Sequence, residues 1–379
     1  MPYPLAIQRC DTFVGRTQNW MYDHLRFLPN YTPFVLCDLL ENREEFPELE
    51  AWLLDRESLP RRVWTKLTGS CLLPNEFWKL KQRKPRVLHS HFGYVAVGDL
   101  QLHHSLDIPW VVGFYGADVY QIGYYPGWKA KYAQVFARAS KILALGPVMA
   151  QELKKLGCPE HKVVIHALGV DIKSLPWRPR ILGQKETLKV LFAGNTFREK
   201  KGVRYLIEGV ALARKAGVDL ELRIVGGGKI EKSGDEKVKE DVFGLISRLG
   251  LEEITSYLPF VPFRELLEIA LTSHVFVAPS ITAADGDSEG TPFVVQQMMA
   301  TSMPVITTVH SDNPYLFGRH CHLLVPERDA QAIAERLQSF AANPELLTSV
   351  GTTLREQISS EFDIRICASK LSDIYTSIQ

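Results

Sequence analysis

The chain lacks four features that would each have narrowed its function. It has no close pair of cysteines: Cys10, Cys37, Cys71, Cys158, Cys321 and Cys367 are scattered. That pattern suits reduced thiols and excludes a disulfide framework or a cysteine zinc site. It has no apolar run of the roughly 18 residues that a membrane span needs. Residues 1–12 show no basic stretch leading into an apolar one, so no signal peptide is expected. These readings suggest a cytoplasmic protein, or one peripheral on the inner face of the membrane. It also has almost no net charge, +1 from 44 Lys+Arg and 43 Asp+Glu. A near-neutral chain argues against nucleic acid as the partner.

What is present suits a soluble globular protein. The 379 residues are 46% hydrophobic and 23% charged, and at roughly 100–200 residues per domain they suggest two domains. The near-neutrality is a cancellation. Residues 1–183 carry 23 basic and 17 acidic side chains, whereas 184–379 carry 21 and 26. Segment 56–86 concentrates nine basic residues against two acidic ones, with Trp64, Phe77 and Trp78 interleaved and Trp52 just before. Cations beside large aromatics suit an anionic membrane surface or an anionic substrate. A solvated helix face over core tryptophans has the same composition.

Short apolar runs alternate with helical patterns. Strands are expected at Pro4–Ile7, Thr32–Cys37, Val87–His89, Trp110–Phe114, Lys141–Leu145 and Val163–His166. A second series follows at Lys189–Ala193, Glu221–Val225, Ile254–Tyr257, Val275–Ala278, Val305–Thr307 and Leu323–Val325. Helices are expected at Gly202–Ala216, Glu236–Leu249, Phe263–Thr272 and Ala330–Phe340, and Glu361–Ile378 reads as one amphipathic helix. The alternation predicts α/β with two Rossmann-like parallel-sheet domains. The domains run 1–180 and 184–360, joined near the proline-rich stretch 175–183, with 361–379 as a C-terminal helix. In such sheets ligands bind beyond the carboxyl ends of the strands, so the residues there carry the functional signal.

The strongest signal is Asp285-Gly-Asp-Ser-Glu-Gly-Thr-Pro-Phe293. Thr291 is expected as N-cap and Pro292 as the first residue of a helix over Phe293–Ala300. Gly290 permits close backbone approach, and the helix start favours a phosphate. Glu289 can accept hydrogen bonds from sugar hydroxyls. Gln297 stands eight residues on, about 12 Å along a helix, close to the span of a nucleotide-sugar from hexose to ribose. The Asp285/Asp287 pair can hold a divalent ion, but a polar loop is the preferred reading and no metal is expected.

A second signal, Phe192-Ala-Gly-Asn-Thr-Phe-Arg-Glu-Lys-Lys-Gly202, places Gly194, Asn195, Arg198, Lys200 and Lys201 after a strand, where the cations can neutralise a diphosphate. A third, Val225-Gly-Gly-Gly-Lys229, offers Gly226 and Gly227 in a turn but no GxGxxG fingerprint, which disfavours a plain Rossmann dehydrogenase. In the first half His91, Tyr115 and Asp118 stand at strand ends. The His89/His91 pair has no identifiable third metal ligand.

Together these residues resemble glycosyltransferase family 4, the retaining GT-B enzymes. The likeness rests on Leu88-His-Ser-His-Phe-Gly93, Gly113-Phe-Tyr-Gly-Ala-Asp-Val119, Leu168-Gly-Val-Asp171, Lys200-Lys-Gly202, Val225-Gly-Gly227 and Ala278-Pro-Ser280. Most specific are Glu289-Gly-Thr-Pro292 and Ala300-Thr-Ser-Met-Pro-Val305. The string Phe197-Arg-Glu-Lys-Lys-Gly202 is similar to the branch that builds bacterial exopolysaccharide and other surface glycans.

The resemblance implies a GT-B fold, two domains facing a central cleft, with the donor bound by the second and the acceptor by the first. It implies transfer of a hexose from a UDP- or GDP-sugar, with no tightly bound cofactor and no required metal. Glu289 would contact the donor sugar and the amides near Gly290–Phe293 would hold the diphosphate. Lys201 would neutralise it, with Arg198 in place of the family's usual arginine at Asn195. Gln297 replaces the family's second glutamate, and Tyr115 a frequent histidine near the sugar. Gly15 and Arg16 fall in the loop expected on the acceptor side, and Asp118 is placed with them. The tail helix is expected to return to the first domain.

The expected chemistry is retaining transfer to a glycan, lipid-linked or small-molecule acceptor, catalysed chiefly by stabilising the leaving diphosphate. Gln297 and Asn195 motivate an alternative, a GT-B protein that binds sugar nucleotide as a scaffold without transfer. A sugar-nucleotide epimerase shares the architecture but needs a set of acid/base carboxylates that the sequence does not offer.

Overall fold

The structure, a computed structural model, describes all residues except 1–2, 16–18, 47–48 and 228–234. The chain divides into two compact units. One comprises residues 1–169 with 363–379, and the other residues 170–362.

The first unit is built on seven parallel strands: β1 (Leu5–Phe13), β2 (Thr32–Leu40), β3 (Ala51–Leu53), β4 (Val87–His91), β5 (Trp110–Gly113), β6 (Lys141–Ala144) and β7 (Val163–Ile165). Their order is β3-β2-β1-β4-β5-β6-β7. The second unit has five: β8 (Leu188–Gly194), β9 (Leu220–Gly226), β10 (Thr255–Leu258), β11 (Val275–Ala278) and β12 (Val305–Thr307), in the order β10-β9-β8-β11-β12. The central strands are apolar without alternation because both sheet faces are covered. Val275, Phe276 and Val277 are all fully buried. In each sheet the strand order reverses once, between β1 and β4 and between β8 and β11. Loops that leave such neighbouring strands diverge and open a crevice at their carboxyl ends.

Three expectations need correction. Leu323–Val325 forms no strand: residues 318–323 make a 3-10 turn and Val325 makes a single bridge to Thr308. The tail is not one helix from Glu361. A helix Glu345–Glu361 ends there, and a new one, Ile364–Thr376, begins after Asp363 caps the amide of Arg365 at 2.8 Å. The proline-rich stretch is not the boundary either. The exchange falls at Gly169–Val170, and residues 175–183 belong wholly to the second unit.

Arg180 explains the last point. Its guanidinium is buried and donates to the carbonyls of Ser273 (2.9 Å), Thr301 (3.1 Å) and Ala270 (3.2 Å) and to the Thr301 hydroxyl (3.1 Å). A planar fork with five donors suits such a set of acceptors.

The helix Ile364–Thr376 completes the first unit. Leu371 and Tyr375 pack with Ala6, Val87, Val111 and Leu143, and the Tyr375 hydroxyl lies 2.6 Å from Nδ1 of His89.

Candidate active site

The site of the second unit forms where β8 and β11 part. The loop after β8 is pinned by Phe197, buried against the rings of Phe243 and Tyr257. It closes with the turn Glu199–Lys201 and then Gly202, at φ +63°. A Cβ at Gly202 would meet the carbonyl oxygen of Pro279 at 1.9 Å, so glycine there lets the β8 and β11 loops touch. The amide of Ile281 donates to the Lys200 carbonyl (2.9 Å) and that of Ala284 to the Glu199 carboxylate (3.2 Å). These bonds bring two segments 80 residues apart in sequence into register.

Between them lies a compact network of charges. Lys201 Nζ is 3.0 Å from Glu289 Oε1. Lys200 Nζ is 3.1 Å from Asp287 Oδ1 and 3.6 Å from Glu289 Oε1. Arg198 Nη1 is 3.0 Å from Asp287 Oδ2. Burial alone would push the Glu289 carboxyl up, but the ammonium groups of Lys201 and Lys200 outweigh it and hold its pKa at about 2. Glu289 is therefore an ionised hydrogen-bond acceptor across the physiological range, not an acid or base.

Glu289 leads directly into the helix Phe293–Ala300. That helix has the expected bounds, but its cap stands one residue later than expected. Pro292 takes the N-cap place with extended backbone, and Thr291 lies outside it with its buried hydroxyl unbonded. Gly290, Thr291 and Pro292 are buried and Phe293 is half-buried. Gln297 is buried on the same helix. A helix start combines unpaired N–H groups with the positive end of the dipole, an arrangement suited to a diphosphate.

Of the expected donor residues, Asn195 is exposed and Gly194 half-buried. The glycine turn closes against β8. The Gly227 amide donates to the Gly194 carbonyl at 3.2 Å, and a Cβ at Gly226 would sit 1.6 Å from that oxygen. Residues 228 and 229 of this motif lie outside the described residues.

In the first unit the structure brings His91 and Tyr115 together. His91 Nδ1 is 2.7 Å from the Tyr115 hydroxyl and Nε2 is 3.1 Å from Gln8 Oε1. Trp20 packs on Tyr115 at 4.6 Å between centroids. Burial, with His166 nearby, lowers the His91 pKa to about 3, so the ring is neutral. Asp118 is fully buried and anchors the loops after β4 and β5 by accepting the amides of Gly93 (3.0 Å), Tyr115 (3.0 Å) and Gly116 (2.9 Å). With its carboxylate engaged by backbone, it is a strut, not the open acceptor contact expected from sequence. Gly15 is buried, and Arg16 lies outside the described residues. Both ring nitrogens of His91 are occupied, and among the described residues no three His, Cys, Asp or Glu are grouped to hold a metal ion.

Sequence reasoning missed several members. Asp287 appeared as half of a metal motif, whereas it is the counterion of Arg198 and Lys200. His310, three residues beyond β12, and Glu327 belong to none of the motifs read from the sequence. Their position past the last strand, on the carboxyl side of the sheet, was the available signal.

Two family models match the chain: "Glycosyl transferases group 1" over residues 187–343 and "Glycosyltransferase Family 4" over residues 31–174. The putative colanic acid biosynthesis glycosyltransferase WcaL of Salmonella typhimurium is 31% identical over 296 residues, covering 77% of this chain and 70% of that protein. The amylovoran biosynthesis glycosyltransferase AmsK of Erwinia amylovora is 27% identical over 287 residues, 75% of this chain and 68% of that one. Among solved structures, Anabaena HepE in complex with UDP superposes with a TM-score of 0.77 at 13% identity, covering 99% of this chain and 100% of that chain.

Proposed function

From the premise that the chain belongs to glycosyltransferase family 4, with the GT-B fold, we propose that it transfers a hexose, with retention, from a UDP- or GDP-sugar to a growing bacterial surface glycan. The observation that carries this reading is the ionised Glu289 held by Lys201 and Lys200 at the entrance to the helix Phe293–Ala300. Glu289 accepts hydrogen bonds from donor-sugar hydroxyls. Lys201, Arg198 and the helix start stabilise the negative charge that grows on the departing diphosphate. The C–O bond from anomeric carbon to phosphate breaks, and the acceptor oxygen bonds to that carbon on the same face. A phosphate oxygen takes the acceptor proton, so no protein base is required. The nearest carboxylates support this division of labour: Glu289 and Asp287 are both ion-paired.

Similar proteins support the donor class and the pathway class. HepE of Anabaena is solved with UDP-glucose, and the WcaL and AmsK relatives carry names in colanic acid and amylovoran biosynthesis. The first unit receives the acceptor, with His91 and Tyr115 at the strand ends. No described helix is long and apolar enough to cross a membrane. The exposed apolar and basic face of the helix Leu59–Thr68 supports peripheral attachment to an anionic leaflet, which suits a lipid-linked acceptor.

Incubating a panel of UDP- and GDP-sugars with wild type and Lys201→Ala tests the reading. Donor turnover by the wild type and its loss in the variant are expected; equal turnover by both would sink it. Exposed Asn195 and the uncharged Gln297 favour one second reading, a sugar-nucleotide-binding scaffold. Calorimetry showing tight UDP or GDP binding with no turnover on any donor would select that one.

A further inference from the structure

The donor reading makes no use of His310, yet its ring is fully buried against the residue that reading depends on. The backbone N–H of Glu289 donates to His310 Nε2 at 3.1 Å. An N–H donor requires a lone pair, so Nε2 carries no proton and the neutral ring holds its proton on Nδ1. Nδ1 lies 2.5 Å from Glu327 Oε1, and its N–H donates to that carboxylate. Glu327 is fixed in turn: its Oε2 accepts the amide of Thr282 at 3.0 Å and pairs with Arg328 at 3.2 Å. Thr282 and Glu289 lie on the same loop after β11. The Ser288 hydroxyl, on the same loop, is also 3.1 Å from Nε2.

We infer that His310 and Glu327 are positioning residues for Glu289. Glu327 sets the Nδ1–H tautomer, and the bare Nε2 then fixes the backbone at Ser288–Glu289, so that the carboxylate is aimed by its main chain as well as by Lys201. The inference rests on the reading of Glu289 as the donor-sugar contact. Without an acceptor at Nε2 the Glu289 amide loses its partner and the loop is free to turn. A displacement of 1 Å at a reacting centre costs about 100-fold in rate. The effect falls on the sugar and not on the nucleotide, because Glu289 touches the former.

The test uses the whole protein as wild type, His310→Gln, His310→Asn and Glu327→Leu. Glutamine can bring an amide oxygen to the place of Nε2, whereas asparagine falls short of it. Calorimetry compares UDP and GDP with UDP-glucose, UDP-galactose, GDP-mannose and GDP-fucose, alongside thermal midpoints. For the sugar nucleotide that the wild type binds, His310→Asn is expected to lose about tenfold or more in affinity relative to its nucleoside diphosphate. His310→Gln is expected to recover most of that loss. A prop with no positioning role would weaken diphosphate and sugar nucleotide in step, or make the two variants alike; either result overturns the inference. A wild type that binds none of these sugar nucleotides but shows the tautomer below removes the donor reading instead. Nitrogen-15 NMR of the ligand-free protein reads the dyad separately. A proton on Nδ1 of His310, moving toward Nε2 in Glu327→Leu, is expected, and an Nε2–H ring in the wild type overturns the dyad whatever the donor.

Discussion

Lys201 Nζ and Glu289 Oε1 lie 3.0 Å apart across the switch between β8 and β11. The pair shares a largely buried place, so each charge depends on the other. Glu289 has its pKa depressed to about 2. A carboxyl with a depressed folded pKa contributes stability that is present above its unfolded value and is lost as pH falls through the folded one. Lys201→Met removes the principal cation but leaves the burial. The variant is therefore expected to be less stable than wild type at pH 7, by about 1–3 kcal/mol, and the gap is expected to close between about pH 4.5 and pH 2. Urea unfolding at pH 7, 5 and 3 measures it. A gap independent of pH would show that the lost stability is not electrostatic.

Arg180 makes a second prediction at the opposite end of the same helix. Its partners include Ala270, at the end of the helix Phe263–Leu271, and Thr301, which follows Phe293–Ala300. Both helices present the negative ends of their dipoles to the guanidinium. Burial, reinforced by Arg178, lowers its pKa to about 10, so it remains charged at neutral pH. Arg180→Met strands these carbonyls without donors and is expected to cost about 3 kcal/mol. Lysine supplies a charge but not the planar fork, and recovers only part of it. Hydrogen exchange should quicken in Phe293–Ala300 and stay unchanged in the β1–β7 sheet. Quickening in both units alike would contradict the local account.

The same contrast between local and distant partners separates what was legible in the sequence from what was not. Val275–Ala278 and Val305–Thr307 appear in the structure at the expected bounds, because an uninterrupted apolar run between helical patterns has few other solutions. Leu323–Val325 has the same apolar look, but the 3-10 turn over 318–323 takes up Leu323 and leaves only one bridge, from Val325 to Thr308 beside the end of β12. Glu289 and Lys201 were legible through short motifs with a phosphate-binding logic. Asp287, His310 and Glu327 were not, since their roles depend on partners 17 to 89 residues away that only the folded chain brings close. Arg180 was hidden for a similar reason. Two prolines beside it read as a linker, while the five-donor side chain that binds the stretch to the second unit has no sequence signature.

The first unit contains four buried histidines, His24, His89, His91 and His166, and several are in ring contact. Burial lowers all four, and mutual repulsion adds to it for His24, His89 and His91; His91 falls to about 3 and His166 to about 4. The unfolded chain binds protons at these sites near pH 6.5 and the folded chain does not, so folding stability falls as pH drops below 6.5. The slope is about 1.4 kcal/mol per pH unit for each histidine. His89 and His166 are joined to the C-terminal helix through Tyr375 and the Cys367 carbonyl. The helix Ile364–Thr376 is therefore expected to lose its hydrogen-exchange protection between pH 6.5 and 4.5. In His166→Gln, which keeps a polar side chain without a titrating ring, the pH slope of unfolding should be shallower by about one proton. An unchanged slope would remove His166 from the set.

The membrane prediction is sharper in the structure than the composition of 56–86 allowed. Arg61 is buried against Glu76 at 2.7 Å, Arg83 pairs with Glu50 at 2.6 Å and Arg56 with Asp38 at 2.8 Å. Trp64 donates to the Leu72 carbonyl and belongs to the fold. Outward, besides Lys79, Lys81, Lys84 and Arg86, is one face of the helix Leu59–Thr68: Leu59, Val63 and Leu67, 71%, 50% and 77% exposed, with Arg62 and Lys66 beside them. Their spacing of four places the apolar residues in one stripe. Trp78, on the next helix, is also exposed. Inserting such a stripe gains apolar burial while the cations meet lipid phosphates, each worth about 1 kcal/mol near an anionic surface. Co-sedimentation with liposomes is expected to require anionic lipid and to weaken at high salt. Leu59→Ser with Leu67→Ser should abolish it with the thermal midpoint unchanged, since neither side chain supports the core. Arg62→Gln with Lys66→Gln should weaken it and flatten its salt dependence. Binding that ignores lipid charge, or survives the serine pair, would reject this face as the membrane contact.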